Sequence, residues 1–351
     1  MNRGMHTRES RGKVIAAIIG IVCLLGLFYG GMRWAEKRWL EKQEANATDK
    51  GNAEEWKKML WGEISLYGKK YRYPRAYETY LIIGTDASGN EEGEGNDYYG
   101  NMADFLMLAI VNKEERNYSF LQLNRDTVTA VRLLPSDGNQ EEEFTMDMQL
   151  CVSHWYGSTP EESGENTVHA VQNLLGGMPI DGYYAVNMED IGALNQAVGG
   201  VTVTIEEDFS DIDPDMKKGA TVTLSDAQAR TYVQGRMGVG DGENTSRMRR
   251  QRQYMEALFE KVQEISKDDS QFTVNLYNDL VDRSVTNVSG NLVSDLALEL
   301  SGAENLGIVT FEGESKTGQV LGDGIDHAEF YLDEGSVTEV MKQLYELEEI
   351  K

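Results

Sequence analysis

Phe105-Leu106-Met107-Leu108-Ala109-Ile110-Val111, a polar turn from Asn112 to Asn117, and then Tyr118-Ser119-Phe120-Leu121-Gln122-Leu123 read together as a β-hairpin. The first arm is apolar at every position. A strand with one wet face alternates, so an unbroken run predicts a strand covered on both faces. Helices on both sides of a sheet supply that cover.

Upstream, Tyr80-Leu81-Ile82-Ile83-Gly84 is a second compact apolar strand. It ends in Thr85-Asp86 and gives way to an acidic, glycine-rich loop, Ala87 to Gly100, that no core would accept. Downstream, Asn166 to Leu175 and Ile191 to Val198 read as helices, the second ended by Gly199-Gly200. Val201, Val203 and Ile205 then alternate with Thr202 and Thr204 as a strand does. Ser225 is a candidate N-cap for a helix opening at Asp226, and a longer charged helix runs from Glu243 or Ser246 to Ile265. A strand near Leu306 to Phe311 and a closing helix from Ser336 to Leu347 complete the pattern. Strands and helices alternating without an internal repeat predict one α/β domain with a mixed central β-sheet flanked by helices.

Val14 to Met32 holds no charge, and about 20 apolar residues are what a helix needs to cross a bilayer. The run is longer than a signal-peptide core and meets Arg33 and Trp34 rather than a small-residue cleavage site, so a retained anchor is expected. Arg3, Arg8, Arg11 and Lys13 before it balance Arg33, Lys37, Arg38 and Lys42 after it, so charge counting does not orient it. A short leading tail and a long trailing domain favour a cytoplasmic N-terminus. The expected organisation is a tail (1–13), a membrane helix (14–32), a juxtamembrane stalk (33–78), read as helical with Trp34, Trp39, Trp56 and Trp61 among Lys and Glu, and a folded domain (79–351).

The first 50 residues carry nine Lys/Arg and five Asp/Glu, leaving 24 basic and 54 acidic residues in the remainder. So negative a body argues against binding a phosphate backbone, which needs a basic face, and no nucleic acid partner is expected. Cys23 and Cys151 are the only cysteines, and the first lies in the membrane run, so no disulfide framework staples the folded part. Cys151 reads as a buried structural thiol.

Charged residues fall just beyond predicted strands, Asp86 after one and Arg125-Asp126 after another, where ligands of open α/β sheets gather and where ordinary turn residues also sit. Ser246-Arg247-Met248-Arg249-Arg250-Gln251-Arg252-Gln253 is the stronger signal. On a helix Arg247, Arg250, Gln251 and Tyr254 share one face. Paired guanidiniums at a helix start match a diphosphate; the alternative is a basic face paired with the domain's many carboxylates.

The order of Gly84-Thr85-Asp86, Ala103-Asp104, Asn124-Arg125-Asp126-Thr127, Gly199-Gly200-Val201-Thr202-Val203, Ala227-Gln228-Ala229-Arg230-Thr231-Tyr232-Val233 and Arg247-x-x-Arg250-Gln251 resembles the LytR-CpsA-Psr family over roughly Tyr80 to Leu258. The resemblance implies a membrane-anchored bacterial phosphotransferase that moves an anionic glycopolymer, such as a teichoic acid, from a polyprenyl-pyrophosphate carrier to peptidoglycan. It also implies a domain outside the cytoplasm. Carried over by position, Arg125, Arg236, Arg247, Arg250 and Gln251 look like the pyrophosphate-binding set. Asp86 and Asp104 look like the acidic residues that hold Mg²⁺ or position the attacking hydroxyl, and Asp126 would orient Arg125. Arginines and a hard, oxygen-ligated cation are what a diphosphate transfer needs to neutralise charge on its bridging and leaving oxygens.

The chain departs from the family pattern at several positions. Arginines are usual where Ser88, Met102 and Gln234 stand, a threonine at Phe105, an aspartate near Asn244, a proline at Asn124 and an asparagine at Cys151. Up to three positive charges are thereby missing from the expected pocket. The rival expectation is a weakened member that binds lipid-linked glycan or wall polymer without transferring it. The family's historical naming adds a membrane-bound transcriptional regulator, against which the acidic body counts. His154, beside Trp155 and Tyr156, is a candidate base whose bland alternative is a packed histidine.

Overall fold

The computed structural model describes residues 61–86, 100–133, 144–236, 238–269, 271–299 and 302–351. The expected tail (1–13), membrane helix (14–32), stalk residues 33–60 and loop 87–99 with Ser88 lie outside the described residues. Among the described residues no helix is long and apolar enough to cross a membrane.

The described chain begins with β1 (Trp61–Leu66), β2 (Lys69–Pro74), β3 (Tyr77–Thr85), β4 (Ala103–Asn112) and β5 (Asn117–Leu123). β6 (Val128–Leu133) and β7 (Phe144–Gln149) pair antiparallel, and a 3-10 turn (Leu150–His154) leads to α1 (Pro160–Leu174). Then follow β8 (Gly182–Asn187), α2 (Ile191–Ala197), β9 (Thr202–Thr204), β10 (Thr221–Thr223), α3 (Asp226–Gln234) and α4 (Asn244–Asp268). The last third adds α5 (Phe272–Leu280), β11 (Ser284–Thr286), α6 (Gly290–Glu299) and β12 (Glu304–Thr310). It closes with β13 (Gly313–Gly318), β14 (His327–Leu332), α7 (Glu334–Tyr345) and β15 (Glu348–Glu349).

The central sheet has the order β11-β8-β3-β4-β5-β12. β4 runs antiparallel to β3 and β5, while β8 is parallel to β3 and β12 to β5, so the sheet is mixed, as expected. Register explains the two-faced burial of β4. Leu81, Leu108 and Leu121 align across three strands, as do Ile83, Leu106 and Leu123, and this face packs on α1 and α7 through Val171, Met341 and Tyr345. Met107 and Phe120 turn the other way, into a second core with Tyr232 of α3 and Tyr254 and Leu258 of α4. The α2 helix ends where the glycines placed its end: Gly199 and Gly200 take φ of +75° and +94°, the left-handed region that side chains avoid. Ser225 caps α3 in a reciprocal capping box with Gln228.

Residues 61–74 correct the helical stalk reading. They form β1 and β2, with Ile64, Leu66, Tyr71 and Tyr73 buried in the first core and polar residues between them. Their period is two, and the Trp/Lys/Glu texture shared with residues 33–60 masked it. The segment after Leu258 supplies both edges of the central sheet, β11 beside β8 and β12 beside β5.

Truncating Leu108, fully buried between the two layers, to Ala is expected to cost about 2–5 kcal/mol of stability. Leu306→Ala, at a position 56% exposed, is expected to stay within about 0.5 kcal/mol, both read by urea denaturation.

Candidate functional site

The site is assembled by strand direction. Because β4 is antiparallel to both neighbours, its first residues lie at the same end of the sheet as the last residues of β3 and β5. Asp86, Asp104 and Arg125 therefore meet at one sheet end. A β-bulge refines the placement: Gly84 pairs with Phe105 but Thr85 with Ala103, which leaves Asp104 as the extra residue. Bulges re-aim side chains, and here Asp104 leaves both cores. A Cβ on Gly84 would stand 2.9 Å from that of Phe105, so only glycine lets the strands close at this point.

Asp104 is shared by two arginines. One carboxylate oxygen accepts a short hydrogen bond from Arg125 Nη1, and the other lies 3.3 Å from Arg247 Nη1. Arg247 reaches down from the first turn of α4, held by Asn244 Oδ1 at 3.2 Å from Nε and 2.8 Å from Nη2. Asn244 Nδ2 donates in turn to Asn124 Oδ1 at 2.8 Å, the atom that also accepts from the Asp126 amide. Asn124 and Asn244 are thus partners in one hydrogen bond.

Arg125 is incompletely satisfied. Its Nη2 faces Cys151 Sγ at 2.9 Å and Met102 Sδ at 3.2 Å, both weak acceptors, and its buried Nε makes no hydrogen bond among the described residues, with Asp126 Oδ1 at 3.4 Å. Arg236 lies close enough to act electrostatically on Asp126 and Arg247, and its Nε donates to Gly242 O at 3.1 Å. Burial, then repulsion from Arg125 and Arg236, push the Arg247 guanidinium down to about 10. Burial raises the Asp126 carboxyl, opposed by Arg125, Arg236 and Arg247. Three cations around two acids make a receptor that an anion would relieve.

Arg250 and Gln251, expected in the same set, are engaged elsewhere. Arg250 pairs with Glu207 at 2.9 Å, donates to the Tyr232 and Gly235 carbonyls at the end of α3, and stacks 5.1 Å from the Phe209 ring. Gln251 donates to Val233 O and accepts from Gln122 of β5, both at 3.2 Å. The shared helix face is real, since Arg247, Arg250, Gln251 and Tyr254 are all buried, but for Arg250 the carboxylate-paired reading holds. Arg249 likewise pairs with Glu206 and Glu207.

His154 is buried, its Nδ1 donating to Asn101 O at 2.8 Å, and burial lowers its pKa. It is a packed, neutral imidazole. Cys151 is buried as expected, with its thiol pushed up by burial, but its contact with Arg125 was not legible. Among the described residues no group of three or more His, Cys, Asp or Glu is arranged to hold a metal.

Two cavities adjoin the cluster. Phe105, next to Asp104, lines an apolar one of about 80 Å³ with Ile82, Gly84, Ile191, Leu194 and Tyr254. Asp126, next to Arg125, lines a polar one of about 370 Å³.

The LytR_cpsA_psr family model matches residues 41–346. The chain is similar to the Enterococcus faecalis polyisoprenyl-teichoic acid–peptidoglycan teichoic acid transferase TagU, 26% identical over 341 residues, covering 95% of this chain and 97% of that one. TagU of Bacillus subtilis is 26% identical over 288 residues, covering 82% and 81%. Among solved structures, gbs0355 of Streptococcus agalactiae shares the fold with a TM-score of 0.61 at 21% identity, covering 78% of this chain and 90% of that one.

Removing Arg250 (Arg250→Ala) leaves Glu207 only its pair with Arg249 and the Tyr232 and Gly235 carbonyls without their donor, and is expected to cost about 1–3 kcal/mol by denaturant titration. Arg247→Ala relieves a crowded cation and is expected to cost clearly less. Equal losses would contradict the division of roles.

Proposed function

Since the chain belongs to the LytR-CpsA-Psr family, we propose that it transfers an anionic glycopolymer of the teichoic acid type from a polyprenyl-pyrophosphate carrier to a peptidoglycan hydroxyl. The observation that carries this reading is the sharing of Asp104 by Arg125 and Arg247, with Arg125 Nε left without a hydrogen bond and Arg247 depressed by burial and then by its cationic neighbours. A diphosphate offers the oxygens that Arg125 Nε and Nη2 lack. The names of the TagU relatives support the substrate class.

In this reaction the acceptor oxygen forms a bond to the glycan-side phosphorus, the bond from that phosphorus to the bridging oxygen breaks, and lipid phosphate leaves. Arg125 and Arg247 neutralise the charge developing on the bridging and leaving oxygens, with Arg236 adding its field. Asp104 holds both guanidiniums in register. Because both its oxygens face arginines, Asp86 is the better candidate to take the hydroxyl proton. Mg²⁺ is commonly bound by one or two carboxylates plus substrate phosphates, and Asp86 and Asp104, which both act on Arg125, fit that pattern. Bound there it would supply further positive charge to the diphosphate. The small apolar cavity at Phe105, walled by Ile191 and Leu194, offers apolar contact to the start of the carrier's prenyl chain. An anchor at 14–32 would hold the domain, outside the cytoplasm, beside the membrane face where such a donor lies.

One observation favours the rival reading of a binder without transfer: Met102, where the family pattern has an arginine, offers Arg125 only a sulfur. Full-length protein incubated with lipid-linked teichoic acid precursor, Mg²⁺ and peptidoglycan separates the two. Product is expected, reduced on the order of 10²-fold or more in Arg125→Ala. Donor binding without product, unchanged by Arg125→Ala, would establish the rival.

A further inference from the structure

The polar cavity has no part in the reaction as described so far. One wall is the arginine loop and the start of α4, through Asn124, Asp126, Arg236 and Asn244; the other is the β13–β14 hairpin, through Ser315, Thr317, Asp326 and Glu329. The hairpin is fixed to the loop. Phe330 N donates to Asp126 O at 2.8 Å, Thr127 and Phe330 form a parallel bridge, and Gln149 Nε2 donates to Ala328 O at 3.2 Å. Asn124, Asp126, Asn244 and Glu329 are each more than nine-tenths buried and form its floor, while Ser315, Thr317 and Asp326 of the hairpin are exposed at its rim. At about 370 Å³ the cavity falls within the roughly 300–1,000 Å³ span of small-molecule sites.

We infer that this cavity is the acceptor subsite, and that it takes an uncharged, hydroxyl-rich glycan segment rather than the anionic donor polymer. Charge decides between those two. Asp126 is already balanced by Arg125 at 3.4 Å, but Glu243, Asp326 and Glu329 still outnumber Arg236 and Lys316, the lining His327 being paired with Asp323 at 2.9 Å and Lys316 with Glu314 at 2.9 Å. A polyanion entering a field of this sign is repelled. Sugar hydroxyls donate to carboxylates and exchange hydrogen bonds with Asn, Ser and Thr, which is the set present. Location supports the same assignment. Asp126 lies 3.4 Å from Arg125 Nε, and Asn244 carries Arg247, so a hydroxyl bound here abuts the residues that would hold the diphosphate.

The inference rests on the transfer reading and its test is arranged to fail separately. Thr317, exposed on β13 and lining the cavity, is replaced by Trp to fill it in the full-length protein. The KM for the glycan acceptor is expected to rise at least ~10-fold, with kcat at saturating acceptor and the Kd for a short prenyl diphosphate unchanged, the pattern of lost acceptor binding alone. Ser315→Trp gives an independent filling should the first variant melt abnormally. An unchanged acceptor KM, or a matching loss of donor-polymer affinity, overturns the assignment while leaving the transfer reaction standing. If the wild type makes no product, the transfer reading fails, and the cavity is tested by saturation-transfer NMR with uncharged β-1,4-linked N-acetylglucosamine tetramer. Binding to the wild type and not to Thr317→Trp sustains it; no binding to the wild type overturns it.

Discussion

Asp104 carries one negative charge, and two guanidiniums converge on it. That imbalance organises the site. Arg125 arrives from the end of β5 and Arg247 from the first turn of α4, so a single carboxylate at the start of β4 ties three elements together. Arg125 and Arg247 are buried, and Asp126 at 3.4 Å from Arg125 Nε, Asn244 and the sulfurs of Cys151 and Met102 share the load with Asp104. The Arg125 donors left with only sulfur or a distant carboxylate oxygen are the standing attraction for an anion.

The position of that cluster follows from the sheet. Leucines aligned across β3, β4 and β5 on one face and Met107 and Phe120 on the other leave no room for a charge within the layers. Charge is confined to the sheet end, where the bulge at Asp104 turns a strand residue out of the packing. Arg250 and Gln251 serve the site indirectly. By fastening α4 to the end of α3, to Glu207 and to Gln122, they fix the helix rotation that aims Arg247 at Asp104. They act as positioning residues through buried polar contacts.

Much of this was legible where periodicity or backbone chemistry is strong. The apolar run of β4, the Gly199-Gly200 stop and the Ser225 cap each announce a local structure whose cause lies within a few residues. Residues 61–74 show the limit: alternation at Ile64, Leu66, Tyr71 and Tyr73 was present but short, and neighbouring tryptophans and lysines outweighed it. β8 was passed over although it lies inside the sheet, because Gly182 to Asn187 is neither long nor uniformly apolar. Within the site, residue types and placement pointed to Arg125 and Arg247, and the family resemblance to Asp104. No local pattern encodes that Arg250 turns toward Glu207, 43 residues earlier in the loop after β9, nor that Asn124 and Asn244 bond, 120 residues apart. The polar cavity depends on β13 and β14 folding back onto the loop at Asp126, a contact between segments that share no sequence signal.

The central claim is that Arg125 and Arg247 act on one diphosphate through their common anchor. A double-mutant cycle on the affinity of the purified protein for a short prenyl diphosphate tests it most directly. The account predicts that Arg125→Ala and Arg247→Ala each weaken binding and that the double variant loses less than the two losses combined, because each substitution already disorganises the site shared through Asp104. Additive losses, or unchanged affinity in either single variant, would contradict it.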